Sequence, residues 1–301
     1  MNFEKIKIIV NPVAGARRDQ RRMIDSIKSF FSDIGSNYEL CFTSRRGEGL
    51  EFAQNAVEEK VDAVIVVGGD GTINEVGSAL VNTDVVIGII PCGSGNGLAR
   101  TLGIPAEAVA ACKLVMNGQI VSIDVGKVND GFFFLVAGVG FDALVGKKFD
   151  EMPTRGPLPY FYLSVKEFLT YKPEEIAIHF DERSLQVRPF VIAVANGQQY
   201  GNNALIAPGA KLNDGLLDLC IVHRLSVLQL PEALPKLFKG KIESYSDAEF
   251  HKTQNLVIER QQSDYVNIDG EPVLEAPVVK VSMLPKALKI VAPKNSPGLV
   301  K

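Results

Sequence analysis

The chain has 301 residues, 46% of them hydrophobic, which is ample for packed cores in one large or two ordinary domains and gives a folded, globular protein. A formal net charge of −3 provides no general attraction to nucleic acid, which is not an expected partner, or to anionic membrane, so any lipid contact must be local. Cys41, Cys92, Cys112 and Cys220 lie far apart without CxxC spacing, which argues against zinc or a disulfide frame and for free buried thiols; no signal-peptide design and no apolar run of membrane-spanning length are present, so the expected location is cytoplasmic.

In chain order, residues 5–10 read as a short strand. NPVAGARR from Asn11 then opens a loop before Met23, Ile24, Ile27, Phe30, Phe31 and Ile34, whose spacing is helical. Residues 38–42 form a second strand ending at Thr43, a helix N-cap candidate, and Leu50, Ala53, Ala56 and Val57 mark the next helix face. The β-branched run at 63–67 leads into GGDGTINEV, residues 68–76. Thr72 with Glu75 three residues on gives the pattern of a strand, a tight turn and a capped helix start. Such a turn aims backbone N–H groups outward at the positive end of a helix dipole, so Gly69, Gly71 and Thr72 could hold phosphate without a lysine. The missing Gly-Lys-Ser/Thr ending excludes a Walker A loop. Asp70, an acid where an anion would bind, needs a cation nearby or a proton to accept, which suggests Mg²⁺-nucleotide chemistry. For these nine residues alone, a glycine-rich turn without a ligand is the alternative.

Residues 85–90 are a further apolar strand running into a second glycine-rich loop and helix start, PCGSGNGLART at 91–101. In a parallel sheet two such loops open at the same edge, where ligands bind. Four strand–helix alternations before residue 105 argue for a doubly wound parallel α/β sheet. GGDGT is not GxGxxG, and no acid follows the first strand's turn at the required distance, so a nicotinamide cofactor is disfavoured. From residue 119 to 145 short apolar runs alternate with Asp-Gly and Gly-rich turns, an antiparallel β signature, and the domain boundary falls near Asp124.

Between residues 147 and 172, Lys147, Lys148 and Arg155 accompany Tyr160, Phe161, Tyr162, Phe168 and Tyr171. That mixture suits either a membrane surface or a helix with its aromatic face in the core, and Pro157 and Pro159 leave the helix length open. Strands resume from Val187, and NDG at 213–215 taken alone reads as a plain hairpin turn. If VNIDGEPV at 266–273 stays extended, Asn267, Asp269 and Glu271 share one face, where two carboxylates need a metal, a shared proton or water; a solvated Asp-Gly hairpin is the alternative. Residues 278–284 and 287–291 are two final strands. His179, His223 and His251 lack metal spacing and read as structural.

GGDGTINEV followed by P-x-G-S-G-N-G-L-A-R resembles the diacylglycerol kinase catalytic family, which includes soluble bacterial lipid kinases and sphingosine kinases. IDVG at Ile123, GVGFDA at Gly138, the NGQQYGNN segment and the APGAKLNDGLLD segment extend the resemblance over nearly the whole chain, with Asn202 and Asn203 replacing two glycines. The resemblance implies an N-terminal doubly wound nucleotide-binding domain of the NAD kinase and phosphofructokinase type at 1–124, to which about 287–301 return, and an antiparallel β-sandwich lipid-substrate domain at 125–286. It implies ATP contacts at Asn11, Pro12, Val13, Ala14, Gly15, Thr43, Gly68, Gly69, Asp70, Gly71, Thr72, Ile73, Asn74, Glu75, Gly93, Ser94, Gly95 and Asn96. It further implies a Mg²⁺ site made by the Asp214 carboxylate with the backbone carbonyls of Lys211 and Leu216, and a substrate or structural polar contact at Asp142. The D-G-E at 269–271 would face the GGDGT loop, with Asp70 or Glu271 taking the hydroxyl proton and Asp269 beside Glu271. The implied activity is ATP- and Mg²⁺-dependent phosphorylation of a lipid hydroxyl, on diacylglycerol or a similar lipid reached by transient contact with the inner membrane face; a homodimer is left open. An NAD kinase-like phosphotransferase shares GGDGT but not the second loop, and a nucleotide-binding regulator without catalysis is the other alternative.

Overall fold

The computed structural model describes residues 3–15, 17–152, 157–200 and 203–300, without the side chains of 17–19 and 157–161. Arg155 and Asn202, and the side chains of Pro157, Pro159, Tyr160 and Phe161, therefore lie outside the described residues. The chain divides into two compact units, one of residues 1–125, 212–214 and 285–301, the other of residues 126–211 and 215–284.

In the first unit, strands β1 (Ile6–Val10), β2 (Tyr38–Phe42), β3 (Ala63–Gly68) and β4 (Val86–Pro91) alternate with helices α1 (Arg17–Asp33), α2 (Glu48–Glu58) and α3 (Asp70–Leu80). Helices α4 (Gly97–Leu102) and α5 (Ala108–Asn117) follow, and β5 (Gln119–Val128) begins here. The order β2-β1-β3-β4 is parallel throughout, with Ile6 opposite both Tyr38 and Ala63, and Ala63 opposite Val86. The step from β1 to β2 crosses the sheet in the opposite direction to the later steps, so right-handed connections put α1 on one face and α2 and α3 on the other. Accordingly α2 packs on α3, and α1 on α5. Covered on both faces, β1, β3 and β4 are buried at every position; β3 and β4 read as unbroken apolar runs, and β1 is interrupted by Lys7, which is paired with Glu39 and Glu59.

The second unit holds β6 (Gly131–Phe133), β7 (Val136–Gly140), α6 (Phe141–Asp150), α7 (Pro157–Phe168), β8 (Ile176–Phe180), β9 (Arg183–Val187), β10 (Val191–Ala195) and β11 (Leu217–Val222). It continues with α8 (Leu230–Phe238), β12 (Ala248–Thr253), β13 (Asn255–Glu259), β14 (Asp264–Ile268), β15 (Glu271–Glu275) and the first part of β16 (Val278–Ala292). The sheets β12-β11-β10-β7-β14-β15 and β16-β13-β8-β9 turn alternate residues into one core, among them Ile178, Ile192, Val194, Leu219, Ile258 and Val281. This is a β-sandwich. From Pro285 onward β16 belongs to the first unit and runs parallel to β4, Ile290 opposite Ile87.

Several expectations are corrected. Residues 141–145 do not continue the antiparallel strands: Gly140, at φ +103°, turns the chain out of β7 and into α6. The two final strands are one, because Pro285 and Lys286 bend β16 without ending it; Lys286, at φ +53°, donates its backbone N–H to the Asp124 carboxylate at 2.7 Å. Both prolines of α7 fall in its first turn, where a missing N–H removes no helical bond, so they start the helix. The hairpin β8–β9, α8 and β12–β13 are additions to what the sequence reading anticipates. All four cysteines are free, but Cys41 and Cys92 are half-buried where buried thiols are expected. Among the described residues no helix is long and apolar enough to cross a membrane.

Candidate functional site

The first unit gathers three loops at the C-terminal ends of β1, β3 and β4. After β3 the chain passes Gly69 and enters α3 at Asp70, with no side chain capping the helix. The expected capping box is not formed. Thr72 is buried two residues inside the helix, and the Glu75 carboxylate instead accepts the backbone N–H groups of Gly47 and Gly49, at 2.8 and 3.1 Å, at the start of α2. Thr43 caps nothing either. Its N–H donates to the Val10 carbonyl at 2.9 Å, extending the β1–β2 ladder, while Gly47 at φ +84° occupies the cap of α2. Asp70 in turn accepts the N–H of Gly97 at 2.7 Å, the first residue of α4. Burial raises its pKa, and the N–H groups of Gly97 and Asn96, its own N–H and the charge of Arg100 pull it partly back. Its carboxylate is thus met by amides, a third answer beside the cation or proton expected of it. The starts of α2 and α4 each receive a carboxylate from α3, and the start of α3 has only its own Asp70 beside the N-cap glycine Gly69.

Glycine at positions 69 and 93 follows from the approach of the loops to each other. A Cβ on Gly93 would lie 2.6 Å from the Gly69 Cα, and one on Gly95 2.6 Å from the Asp70 carboxylate. Asn96 closes the loop by accepting the Gly93 N–H at 2.9 Å and donating to its carbonyl at 2.7 Å, and Arg100 Nε donates to the Gly95 carbonyl at 2.8 Å. Ser94 is exposed at the tip. On the third loop, Asn11 donates from Nδ2 to Thr72 Oγ1 at 2.9 Å and accepts the Val13 N–H at 3.1 Å, fixing Pro12, Val13 and Ala14 beside α3. Gly15, at φ +88°, lies against the Cys92 carbonyl. Residues 11–15, 68–72 and 93–96 therefore meet at one sheet edge. Ile73 faces the core instead, Asn74 sits one turn into α3 accepting the Ser78 hydroxyl at 3.4 Å, and Glu75 is committed to α2.

In the second unit the D-G-E segment is a hairpin. Asp269 and Gly270 have φ of +49° and +96°, and Ile268 lies opposite Glu271, so the two acids do not share the face of an extended strand. The Asp269 carboxylate accepts the N–H groups of Phe134, Leu135 and Val136 at 2.7, 2.9 and 3.0 Å, clasping the start of β7. An acid holding three amides is a poor partner for tuning a neighbour's charge. Glu271 opens β15, half-buried. Asp142 stands in the first turn of α6 with both carboxylate oxygens buried and without a hydrogen-bond partner of good geometry. Any Cβ on Gly138 would overlap that carboxylate. Burial pushes the Asp142 pKa up to about 7, against the smaller opposing pull of the Ala143 N–H, the Tyr200 hydroxyl and the Asn267 amide.

Asp214 belongs to the first unit, and Lys211 and Leu216 to the second. The turn around Asp214 is held by the Leu212 N–H on the Gly298 carbonyl at 2.9 Å and the Val300 N–H on Asn213 Oδ1 at 2.6 Å, with Gly215 at φ +74°. Among the described residues no three His, Cys, Asp or Glu side chains gather to hold a metal. One carboxylate with backbone carbonyls and water is an oxygen donor set that suits Mg²⁺, which keeps several waters, and not zinc. Tyr200 and Arg100 are the site neighbours that sequence reasoning misses. Arg100 had a signal, one helical turn after Asn96; Tyr200, far from Asp142 in sequence, had none.

Residues 5–128 match the family model of the diacylglycerol kinase catalytic domain, and residues 135–292 that of the YegS C-terminal NAD kinase beta sandwich-like domain. A Klebsiella pneumoniae protein named "Probable lipid kinase YegS-like" is 31% identical over 280 residues, 89% of this chain and 90% of that protein. The Bacillus subtilis diacylglycerol kinase is 28% identical over 277 residues, 89% and 90% of the two chains. A crystal structure of a diacylglycerol kinase from Bacillus anthracis shares the fold, with a TM-score of 0.75 at 23% identity over 98% of each chain.

Proposed function

This chain belongs to the diacylglycerol kinase family, and from that premise we propose that it transfers the γ-phosphoryl group of ATP to the hydroxyl of a membrane-derived lipid, diacylglycerol or one of similar headgroup. The observation that carries the nucleotide half of this reading is the start of α3. Helix α3 opens at the N-cap glycine Gly69 on a glycine-lined edge, and its acids Glu75 and Asp70 reach the N–H groups of α2 and α4. The β- and γ-phosphates are assigned to the first-turn N–H groups of α3, with Asn11 to Gly15 and Gly93 to Asn96 flanking them. Phosphoryl transfer then needs alignment and charge neutralisation more than covalent chemistry. Mg²⁺ beside Asp70 would supply part of that neutralisation, and a second assignment gives the Asp214 carboxylate with the Lys211 and Leu216 carbonyls a Mg²⁺ that would order their turn. The proton of the attacking hydroxyl is assigned to Glu271, the half-buried acid that opens β15, with Asp70 as the alternative acceptor. The bond from lipid oxygen to phosphorus forms, the bond from phosphorus to the ADP oxygen breaks, and the products are ADP and a lipid phosphate.

Purified protein incubated with γ-labelled ATP, Mg²⁺ and separate diacylglycerol, monoacylglycerol, phosphatidylglycerol, sphingoid-base and NAD acceptors tests the reading. Label in a chloroform-soluble product supports it; label in NADP, or ATP binding with no transfer to any acceptor, overturns it.

A further inference from the structure

The second unit carries an apolar projection that its fold does not use. In α8 the inward side is formed by Ala233 and by Leu230 and Leu237, the Leu237 carbonyl accepting the Leu205 N–H at 3.1 Å. The opposite side, where a surface helix ordinarily carries polar groups, presents Pro231, Leu234, Pro235 and Phe238. The turn before it adds Val227 and Leu228. Leu228 is 91% exposed, Val227 55%, Phe238 53% and Leu234 41%. Six apolar residues within twelve positions thus stand in solvent on one short element, a cluster that marks an interaction site.

The charges around it select the partner. From residue 224 to 241 the chain carries Arg224, Lys236, Lys239 and Lys241 against Glu232 alone, in a protein whose formal net charge is −3. Lys236 is engaged by Glu232 at 2.6 Å and by the Ser244 carbonyl at 2.7 Å. Arg224, Lys239 and Lys241 are exposed at the margin of the apolar side. Interfaces between proteins favour Tyr, Trp, Phe, Met and Arg and are depleted of Lys; here Phe238 and Arg224 fit that composition, while Lys236, Lys239 and Lys241 and the absence of Tyr, Trp and Met from residues 224–241 do not. Leucine, valine, proline and phenylalanine rimmed by lysine is the composition of an element lying in the boundary between headgroups and acyl chains of an anionic bilayer. We propose that the turn at residues 226–229 and the outer side of α8 dock the protein onto anionic membrane, Leu228 and Phe238 entering the acyl boundary while Arg224, Lys239 and Lys241 meet lipid phosphates. The surface is distinct from the catalytic residues and does not depend on which lipid is the acceptor.

Co-sedimentation of the full chain with phosphatidylcholine vesicles, with and without phosphatidylglycerol, tests this. Wild-type protein should bind the anionic vesicles and dissociate as salt is raised. Leu228→Asp combined with Phe238→Asp, and separately Lys239→Glu combined with Lys241→Glu, should each weaken that binding on the order of tenfold or more. All four positions are exposed, so both variants should melt like wild type. Each should also retain ATP affinity and transfer to a short-chain monomeric lipid, while losing rate on vesicle-embedded lipid. Equal vesicle binding by wild type and both variants overturns the proposal, as does a wild-type chain that ignores anionic vesicles but self-associates through Leu228 and Phe238. Failure of phosphoryl transfer to every lipid, with vesicle binding and its loss in the variants intact, would refute the kinase reading and leave the docking surface standing.

Discussion

Asp142 and Asp269 carry the same functional group and are treated in opposite ways by their surroundings. Asp269 is given three amide donors; Asp142 is enclosed with neither oxygen properly bonded. The fold therefore favours the protonated form of Asp142, with a pKa of about 7 against an ordinary 3.8. Because the folded value is the higher one, the stabilisation is complete below the ordinary value and is lost as pH rises through about 7, a span worth on the order of 4 kcal/mol. Urea titrations on either side of neutrality should find wild type weaker on the alkaline side, and Asp142→Asn should flatten that difference. A wild-type slope retained in the variant would assign the effect to another group. Among the acids proposed for catalysis, Glu271→Gln should lower kcat by ~10²- to 10⁴-fold with ATP affinity nearly unchanged. Wild-type kcat in that variant, with activity lost in Asp70→Asn, would transfer the proton to Asp70. The sequence makes Asp269 and Glu271 look like a pair because residues two apart share a face in any strand that stays extended. The alternative read from the same residues, an Asp-Gly hairpin, prevails, and what the sequence hides is the partner set that favours it: the N–H groups of Phe134, Leu135 and Val136 on the Asp269 carboxylate.

Strand–helix alternation in the first unit is legible because β3 and β4 are uninterrupted apolar runs, β1 is broken only by Lys7, and the longer helices show a 3.6-residue stripe. Helix ends are less legible. The Thr72–Glu75 spacing fits a capping box, yet a box requires the threonine at the cap, and here the helix has already begun at Asp70. The acid is then free to reach α2, where a cap glycine leaves N–H groups to satisfy. Glu75→Ala should therefore destabilise the protein by about 1 to 2 kcal/mol through the frayed start of α2, without touching the turn at residues 68–71 directly. Amide hydrogen exchange that quickens in residues 47–51 would place the effect there; exchange that quickens only in α3 would refute it. Gly93→Ala acts differently, since its new methyl meets the Gly69 backbone, which has no side chain to move aside. We expect a loss on the order of 1 to 3 kcal/mol and weaker ATP binding together, read by thermal melts and isothermal titration. Full stability in Gly93→Ala would mean that the two loops do not hold each other at this contact.

At the scale of the molecule, the change from parallel to antiparallel structure is written in the sequence as a change of period. Apolar runs ending in glycine loops give way after residue 118 to short alternating segments closed by Asp-Gly turns. The edge hairpin β8–β9 escapes notice because its outer strand buries little and so shows no strong alternation. Hardest to read is β16, whose proline and positive-φ lysine mimic a break. Its second half is the fifth strand of the first unit's sheet and runs beside β4.

That arrangement has a consequence for how the protein is made. A ribosome delivers β1 to β4 early, but the strand that flanks β4 emerges only after the whole sandwich sequence has been translated. The first unit must wait, with the edge of β4 unpaired and apolar, while the second unit forms. Contacts of such high sequence separation are slow to close. Released chains truncated after residue 284 should thus carry a protease-resistant sandwich joined to a first unit that trypsin still digests, and the chain through residue 301 should resist in both. Resistance of residues 1–125 in the truncated chain would show that four strands suffice.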